Sequence, residues 1–330
     1  MLKQITIVGS GSWATALVKL FTEKGIRVFW LLRDREKVDF IKWNGYNPRY
    51  LSQVVLNKDL IFPMIETSLA FRDSDLVIFA IPSSYLEGAL QQIDPDFLEG
   101  KNLAVSIKGL IPNSGCTPSR FVCKYMNADA RRIMVLGGPC HAEEVAEQRT
   151  TYMTISAENP EWVHDVCQSL KSSYLHTVCS NDPSGIEYAS IIKNIIGIAT
   201  GIANGLHYGD NFQAVLVSNA MRETGKFLDV VSPARRDLFN SAYFGDLLVT
   251  AYSDYSRNRT LGKLVGRGIQ VNTALFAMEM VAEGFHASRE LAAIHKKTKV
   301  SMPVINAVHR ILHQHSSPYQ EFKLLEEQLT

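Results

Sequence analysis

The first twenty residues restrict the fold more than any other stretch. Gln4-Ile5-Thr6-Ile7-Val8 is a short apolar, β-branched run. It leads into Gly9-Ser10-Gly11-Ser12-Trp13-Ala14, and Ala16-Leu17-Val18-Lys19-Leu20-Phe21 follows with helical spacing. Strand, tight glycine turn and helix open a dinucleotide-binding βαβ unit. Gly9 permits the sharp turn, and Gly11 leaves room for a pyrophosphate against the backbone. The free N–H groups of the helix start, around Ser12 and Trp13, then face that anion. The third position of the fingerprint is Ala14, where a methyl fits between helix and strand. The same glycines would serve an ordinary strand–turn–helix; their place directly after an N-terminal strand favours the dinucleotide.

Further strands are predicted at 27–32, 60–62, 76–80, 103–107, 133–136, 152–155 and 175–178, most of them separated by helical stretches. Near-continuous apolar runs alternating with helices make an α/β fold with a mostly parallel sheet covered on both faces. Right-handed crossovers put the strand C-terminal ends on one rim. Three loops on that rim are unusual: Ala80-Ile81-Pro82-Ser83-Ser84, Ser106-Ile107-Lys108-Gly109-Leu110 and Gly137-Gly138-Pro139-Cys140-His141-Ala142-Glu143-Glu144. Together they predict a lined cleft. The second strand ends at Arg33-Asp34. An acidic residue there would hold a ribose 2′-hydroxyl, whereas an Arg would meet a 2′-phosphate. NAD and NADP both remain open, with NADPH favoured.

From Pro183 the strand signals stop and the chain reads as helix. A chain of 330 residues suits two domains. The expected division is a dinucleotide-binding domain over 1–182 and an all-α substrate domain over 183–330. A net charge of +1 gives no case for nucleic acid. The N-terminus enters a strand at once and no apolar run reaches membrane-spanning length. The five cysteines include no C-x-x-C, so free thiols in a reducing cytoplasm are expected. The sequence leaves room for a homodimer.

The most apolar segment, from Gly185 to Leu206, contains one lysine: Ser190-Ile191-Ile192-Lys193-Asn194-Ile195-Ile196. Ala189, Lys193, Gly197, Gly201 and Gly205 share a helix face. Close helix packing on the glycines, with Lys193 paired to a carboxylate, is one reading. The other is chemical. Burial among isoleucines would lower the Lys193 pKa, and such a lysine can exchange a proton with a carbonyl or alcohol oxygen. Downstream, Gly245-Asp246-Leu247 precedes Ser256-Arg257-Asn258, a capped helix start with a guanidinium that suits a phosphate. His309 and His313 are four apart, but without a third ligand they are expected to be surface histidines, and no metal is expected.

Five landmarks in order are Gly9–Trp13, Lys108-Gly109, Gly138-Pro139 with Ala142-Glu143-Glu144-Val145, Lys193-Asn194, and Gly245-Asp246-Leu247 with Ser256-Arg257-Asn258-Arg259. In this set the sequence resembles the bacterial NAD(P)-dependent glycerol-3-phosphate dehydrogenases. The resemblance implies a Rossmann domain followed by a helical one, with the active site between them. It implies reduction of dihydroxyacetone phosphate to glycerol 3-phosphate by hydride transfer, for phospholipid synthesis. By position, Lys193 matches the proton donor and acceptor, and Lys108 a lysine touching cofactor and substrate. Gly138, Cys140, Asp246, Ser256, Arg257 and Asn258 match substrate contacts. Ser12, Trp13, Arg33, Ala142, Arg257, Val281 and Glu283 match cofactor contacts, alongside Gly9 and Gly11. The sequence departs from the family pattern at Ala14, Cys140, His141, Asn219 and Tyr243-Phe244. Competing readings are a β-hydroxyacid-type dehydrogenase acting on a carboxylate, and a non-catalytic dinucleotide-binding redox sensor.

Overall fold

A computed structural model describes residues 2–278 and 281–330. The chain divides into two compact units, Met1–Ile107 with Pro118–Pro183, and Lys108–Thr117 with Ser184–Thr330. The segment Lys108–Thr117 therefore departs from the division expected after residue 182. The reason is polar. The Asn194 side-chain amide donates to the Lys108 carbonyl at 2.7 Å, and the Asn113 N–H donates to Glu290 Oε1 at 3.2 Å.

The first unit is built on an eight-stranded sheet. Its strands are β1 (Gln4–Val8), β2 (Arg27–Leu31), β3 (Ile61–Met64), β4 (Leu76–Phe79), β5 (Asn102–Val105), β6 (Ile133–Gly137), β7 (Thr151–Ser156) and β8 (Leu175–Ser180). Each predicted strand has its counterpart, within two residues at either end. The order is β3-β2-β1-β4-β5-β6-β7-β8. Only β6 and β7 run antiparallel. The order reverses between β1 and β4, which is where doubly wound sheets open a ligand crevice. The helices are α1 (Ser12–Glu23), α2 (Arg35–Asn44), α3 (Thr67–Arg72), α4 (Leu86–Leu90), α5 (Pro118–Tyr125), α6 (Ala142–Ala146) and α7 (Pro160–Leu170). Strand and helix residues such as Ile5, Ile7, Leu17, Phe21, Trp30 and Ile78 form the core. Trp30 is wholly buried, and its indole N–H donates to the Gly9 carbonyl at 2.6 Å. That bond satisfies a donor that burial would otherwise penalise, and it pins the glycine turn to β2.

The second unit is helical: α8 (Pro183–Gly205), α9 (Asp210–Val231), α10 (Asp246–Tyr252), α11 (Arg257–Gly266), α12 (Val271–Phe276), α13 (Glu283–Thr298), α14 (Pro303–His313) and α15 (Pro318–Glu326). By length and composition α8 would suffice to cross a bilayer, a length the sequence reading had not expected, but its apolar stretch is wholly buried inside the protein. A helix apolar all round is one that runs through a core.

The glycine stripe of α8 is a packing device. A Cβ on Gly201 would stand 2.1 Å from the Arg259 carbonyl oxygen and 2.8 Å from the Gly262 Cα. One on Gly205 would stand 2.6 Å from the Lys263 carbonyl oxygen. Both obstacles are backbone of α11, which cannot swing aside. Gly201→Ala is therefore expected to destabilise the protein by about 3 kcal/mol or more, since overpacking a filled interface forces backbone to move. Denaturant unfolding of the variant against the parent chain measures this.

Candidate active site

The residues singled out in the sequence fall into two groups, one in each unit. In the first unit the glycine turn forms an open cradle. Gly9 has φ +135°, and a Cβ there would stand 2.3 Å from the Ala80 carbonyl oxygen, so the fold itself demands glycine. Gly11 differs: a Cβ there would meet nothing within 4 Å. The space beside Gly11 is free for a pyrophosphate, and the fold alone gives no reason for a glycine there. Gly11 also stands at the N-cap of α1 with no side-chain cap, and the first turn carries no acidic residue. The positive end of the helix thus remains available to an anion. Asn47 steadies the turn, its amide donating to the Ser10 carbonyl at 3.1 Å and to Thr15 Oγ1 at 2.8 Å. The buried Ser12 begins the helix, and the Trp13 indole N–H donates to Ser106 Oγ at 2.7 Å. Ser106 in turn donates to the Leu136 carbonyl at 3.4 Å. These two bonds tie the start of α1 to the loop after β5 and to the end of β6.

At the end of β2, Asp34 caps α2. Its Oδ1 accepts from the Glu36 N–H at 3.0 Å and the Lys37 N–H at 3.4 Å. Arg33 lies with its guanidinium 5.1 Å from the centre of the Tyr85 ring. Lys37 and Arg49 both lie over the Tyr50 ring, at 6.0 and 5.6 Å. Burial and the repulsion of Arg49 and Arg33 push the Lys37 ammonium below its ordinary range, against the pull of Asp34. Three cations thus share one corner of the unit.

The loop after β6 also belongs to this unit. Gly138 has φ +97°, and a Cβ there would stand 3.1 Å from the Tyr152 carbonyl oxygen, so β7 requires the glycine. The Cys140 thiol donates to that same carbonyl at 3.2 Å. Ala142 opens α6 and is buried.

The second group surrounds Lys193, midway along α8. Lys193 is 6% exposed and Asp246 1% exposed. The Lys193 ammonium donates to Asp246 Oδ1. Lys108 Nζ reaches Asp246 Oδ2 at 3.5 Å. One carboxylate thus receives two ammonium groups in a nearly dry place. Burial pushes the Lys193 ammonium down and Lys108 adds to that push; against the upward pull of the Asp246 carboxylate they leave it at about 7. Asp246 is delivered by a one-turn π-helix, Ser241–Gly245, which runs straight into α10; such turns recur at functional sites.

A chain of amides fixes the same group. The Gly284 N–H donates to Asn258 Oδ1 at 2.9 Å. The Asn258 amide donates to Asn194 Oδ1 at 3.0 Å, and the Asn194 amide donates to the Lys108 carbonyl. Asn194 stands in the sequence only as the second half of the Lys193-Asn194 landmark, with no role assigned to it. Its signal was present, a second polar residue beside Lys193 in an isoleucine helix, and it acts as a positioning residue for Lys108. Ser256 caps α11, its Oγ accepting from the Arg259 N–H at 3.3 Å. Arg257 is the first residue of that helix, half-buried, and makes no ion pair among the described residues. Val281 is half-buried, and Glu283 opens α13. The Arg259 guanidinium is mostly covered and pairs with Asp254 at 2.9 Å. His309 and His313 are half-buried with rings 5.2 Å apart. Burial, with His309 and Arg289 nearby, pushes His313 down to about 4.

Two family models cover this chain. The N-terminal part of NAD-dependent glycerol-3-phosphate dehydrogenase matches residues 4–163, and the C-terminal part matches residues 182–323. The chain belongs to the NAD-dependent glycerol-3-phosphate dehydrogenase family. A glycerol-3-phosphate dehydrogenase, NAD(P)+, of Syntrophomonas wolfei is 32% identical over 311 residues, covering 94% of this chain and 90% of that protein. One from Ectopseudomonas mendocina is 33% identical, covering 98% and 94%. The crystal structure of glycerol-3-phosphate dehydrogenase from Coxiella burnetii superposes with a TM-score of 0.92 at 27% identity, over 98% of this chain and 99% of that one. Members of this family are oxidoreductases that act on a CH–OH group with NAD or NADP. The family resemblance drawn from the five landmarks is thus shown, as is the α/β-then-α architecture.

Proposed function

We propose that this chain reduces dihydroxyacetone phosphate to sn-glycerol 3-phosphate with a nicotinamide dinucleotide, and that Lys193 is the proton donor. The observation that carries the assignment of Lys193 is the buried Lys193–Asp246–Lys108 group. A bound reduced nicotinamide supplies the hydride to the ketone carbon. As the carbonyl bond opens, the oxygen gains negative charge and needs a proton or a cation. The Lys193 ammonium, already pushed down to about 7, gives that proton more readily than an ordinary lysine would. Asp246 keeps the ammonium in one place and offsets its charge. Lys108, held through its own carbonyl by Asn194, brings a second positive charge to the developing oxyanion.

Arg257 and the start of α11 take the substrate phosphate. The first turn of α11 contains no acidic residue, so its dipole adds to the guanidinium. In the first unit, Gly9, Gly11, Ser12 and Trp13 hold the pyrophosphate. Asp34 has spent one carboxylate oxygen on a helix cap, while Arg33, Lys37 and Arg49 supply three positive charges in the same corner. This favours a 2′-phosphate and hence NADPH. Arg33→Gln is expected to shift the ratio of kcat/KM for NADPH over NADH towards NADH by about 10- to 100-fold, the worth of one charge-assisted hydrogen bond. Steady-state kinetics with each cofactor read that ratio.

The test of the function is oxidation of NADPH and NADH by the purified chain with dihydroxyacetone phosphate, beside 2-oxo acids as alternative substrates. Turnover with the ketone phosphate alone supports the reading. Turnover only with an oxo acid, or dinucleotide binding without consumption by any ketone phosphate, would overturn it.

A further inference from the structure

Two cysteines of the first unit lie side by side without any part in the chemistry above. Cys167 is on α7 and Cys179 is on β8. Both are free thiols, and their sulfur atoms are 2.8 Å apart, with the Cys179 thiol donating to the Cys167 sulfur. The backbones that carry them are fixed independently. Thr177 Oγ1 donates to the Cys167 carbonyl at 2.9 Å, which ties α7 to β8 beside the pair. β8 is paired with β7 along its length, with Cys179 opposite Ile155. A disulfide forms without backbone movement only where the two side chains already converge, and here they do. The two sulfurs also differ in access: Cys167 is 2% exposed, whereas Cys179 is exposed to solvent. The Cys123 and Cys140 thiols instead donate to the carbonyls of Ala128 and Tyr152.

We propose that Cys167 and Cys179 are a reversible oxidation site, in which the exposed Cys179 takes an oxygen from a hydroperoxide and the buried Cys167 resolves it to a disulfide. The Cys179 thiolate attacks one peroxide oxygen and the O–O bond breaks. The other oxygen leaves with the released proton, as water when the oxidant is hydrogen peroxide. Cys179 is then a sulfenic acid. The Cys167 sulfur attacks the Cys179 sulfur, the S–O bond breaks, and the hydroxyl leaves as water with the Cys167 proton. Two thiols are oxidised and one peroxide is reduced. The division of labour follows from access and from acidity, because the thiolate is the reacting form. Burial and the neighbouring Cys179 thiol hold the Cys167 thiol well above the ordinary thiol range, so the buried sulfur does not react with the oxidant first. Condensation with a sulfur already 2.8 Å away keeps Cys179 from the irreversible sulfinic state.

The experiment treats the fully reduced full-length chain with hydrogen peroxide near equimolar amounts. The remaining thiols are then blocked with N-ethylmaleimide and the chain mapped by non-reducing peptide mass spectrometry. The expected result is loss of two of the five thiols, recovered by dithiothreitol, with the lost pair found as a linked Cys167–Cys179 peptide. The oxidised chain should show a higher Tm that falls back on reduction, since a cross-link restricts the unfolded chain. Cys179→Ser, at an exposed position that tolerates the change, should lose no thiols under the same treatment. Its reduced-state turnover should match that of the parent, because neither sulfur belongs to the binding or catalytic groups. Five thiols left after treatment, a lost pair mapping elsewhere, or Cys179 carried to the sulfinic acid without pairing would each overturn the proposal.

Discussion

Lys193→Ala is expected to lower kcat for reduction of dihydroxyacetone phosphate by about 10²- to 10⁴-fold, the range that positioned general acids contribute. The dissociation constant for the dinucleotide should stay within about twofold, because the cradle proposed for it, Gly9, Gly11 and the start of α1, belongs to the other unit. The loss should fall on kcat and kcat/KM together, the mark of an interaction made only in the transition state. Rapid-quench or absorbance kinetics, with a separate fluorescence titration of NADPH, distinguish this from a general loss of folding. A variant with near-parent kcat would remove Lys193 from the mechanism.

The second large effect concerns Asp246. Asp246→Ala leaves the Lys193 ammonium buried, with Lys108 nearby and no carboxylate between them. Removing one partner of a buried ion pair costs about 3–5 kcal/mol, because the other charge is left uncompensated. The same change should push the Lys193 ammonium lower still, since Asp246 now pulls it upward against burial. Residual reduction by the variant should therefore lose its proton donor at a lower pH than in the parent chain. The sign for stability follows by linkage. The pKa of Lys193 is depressed on folding, so between about 7 and its ordinary 10.5 the unfolded chain holds more protons than the folded one. Stability from this group thus rises with pH through that window, and below about 7 the full cost of burying the ammonium is present. The gain on raising pH should be steeper in Asp246→Ala than in the parent. Urea unfolding of both chains at pH 6.5 and 9 measures it.

How much was legible in the sequence depended on how far apart the partners lie. The glycine turn, the strands and the apolar helix around Lys193 are local patterns, and all took the expected form. Even so, Gly9 and Gly11 proved unlike: the first is required by the Ala80 carbonyl, while the second faces open space. Asp34 stood in the sequence as a candidate ribose ligand, but its own next residues offered it a helix start to cap. Lys108 followed an apolar strand and was expected in the first domain. Its ties to Asn194 and Asp246, 86 and 138 residues away, put it with the helices instead. The amide chain through Asn194, Asn258 and Gly284 had no local pattern at all, since each link joins a different element. The Cys167–Cys179 approach was equally invisible, because helix and strand periodicity do not say which helix residue will face which strand residue.

The pH dependence of the two directions of reaction tests the role of Lys193 most directly. Reduction needs the protonated lysine, and oxidation of glycerol 3-phosphate needs the neutral amine. The expected result is that kcat for reduction falls, and kcat for oxidation rises, through one shared ionisation near pH 7 that disappears in Lys193→Ala. Two profiles that bend in the same direction, or an ionisation near 7 that survives in the variant, would contradict the assignment.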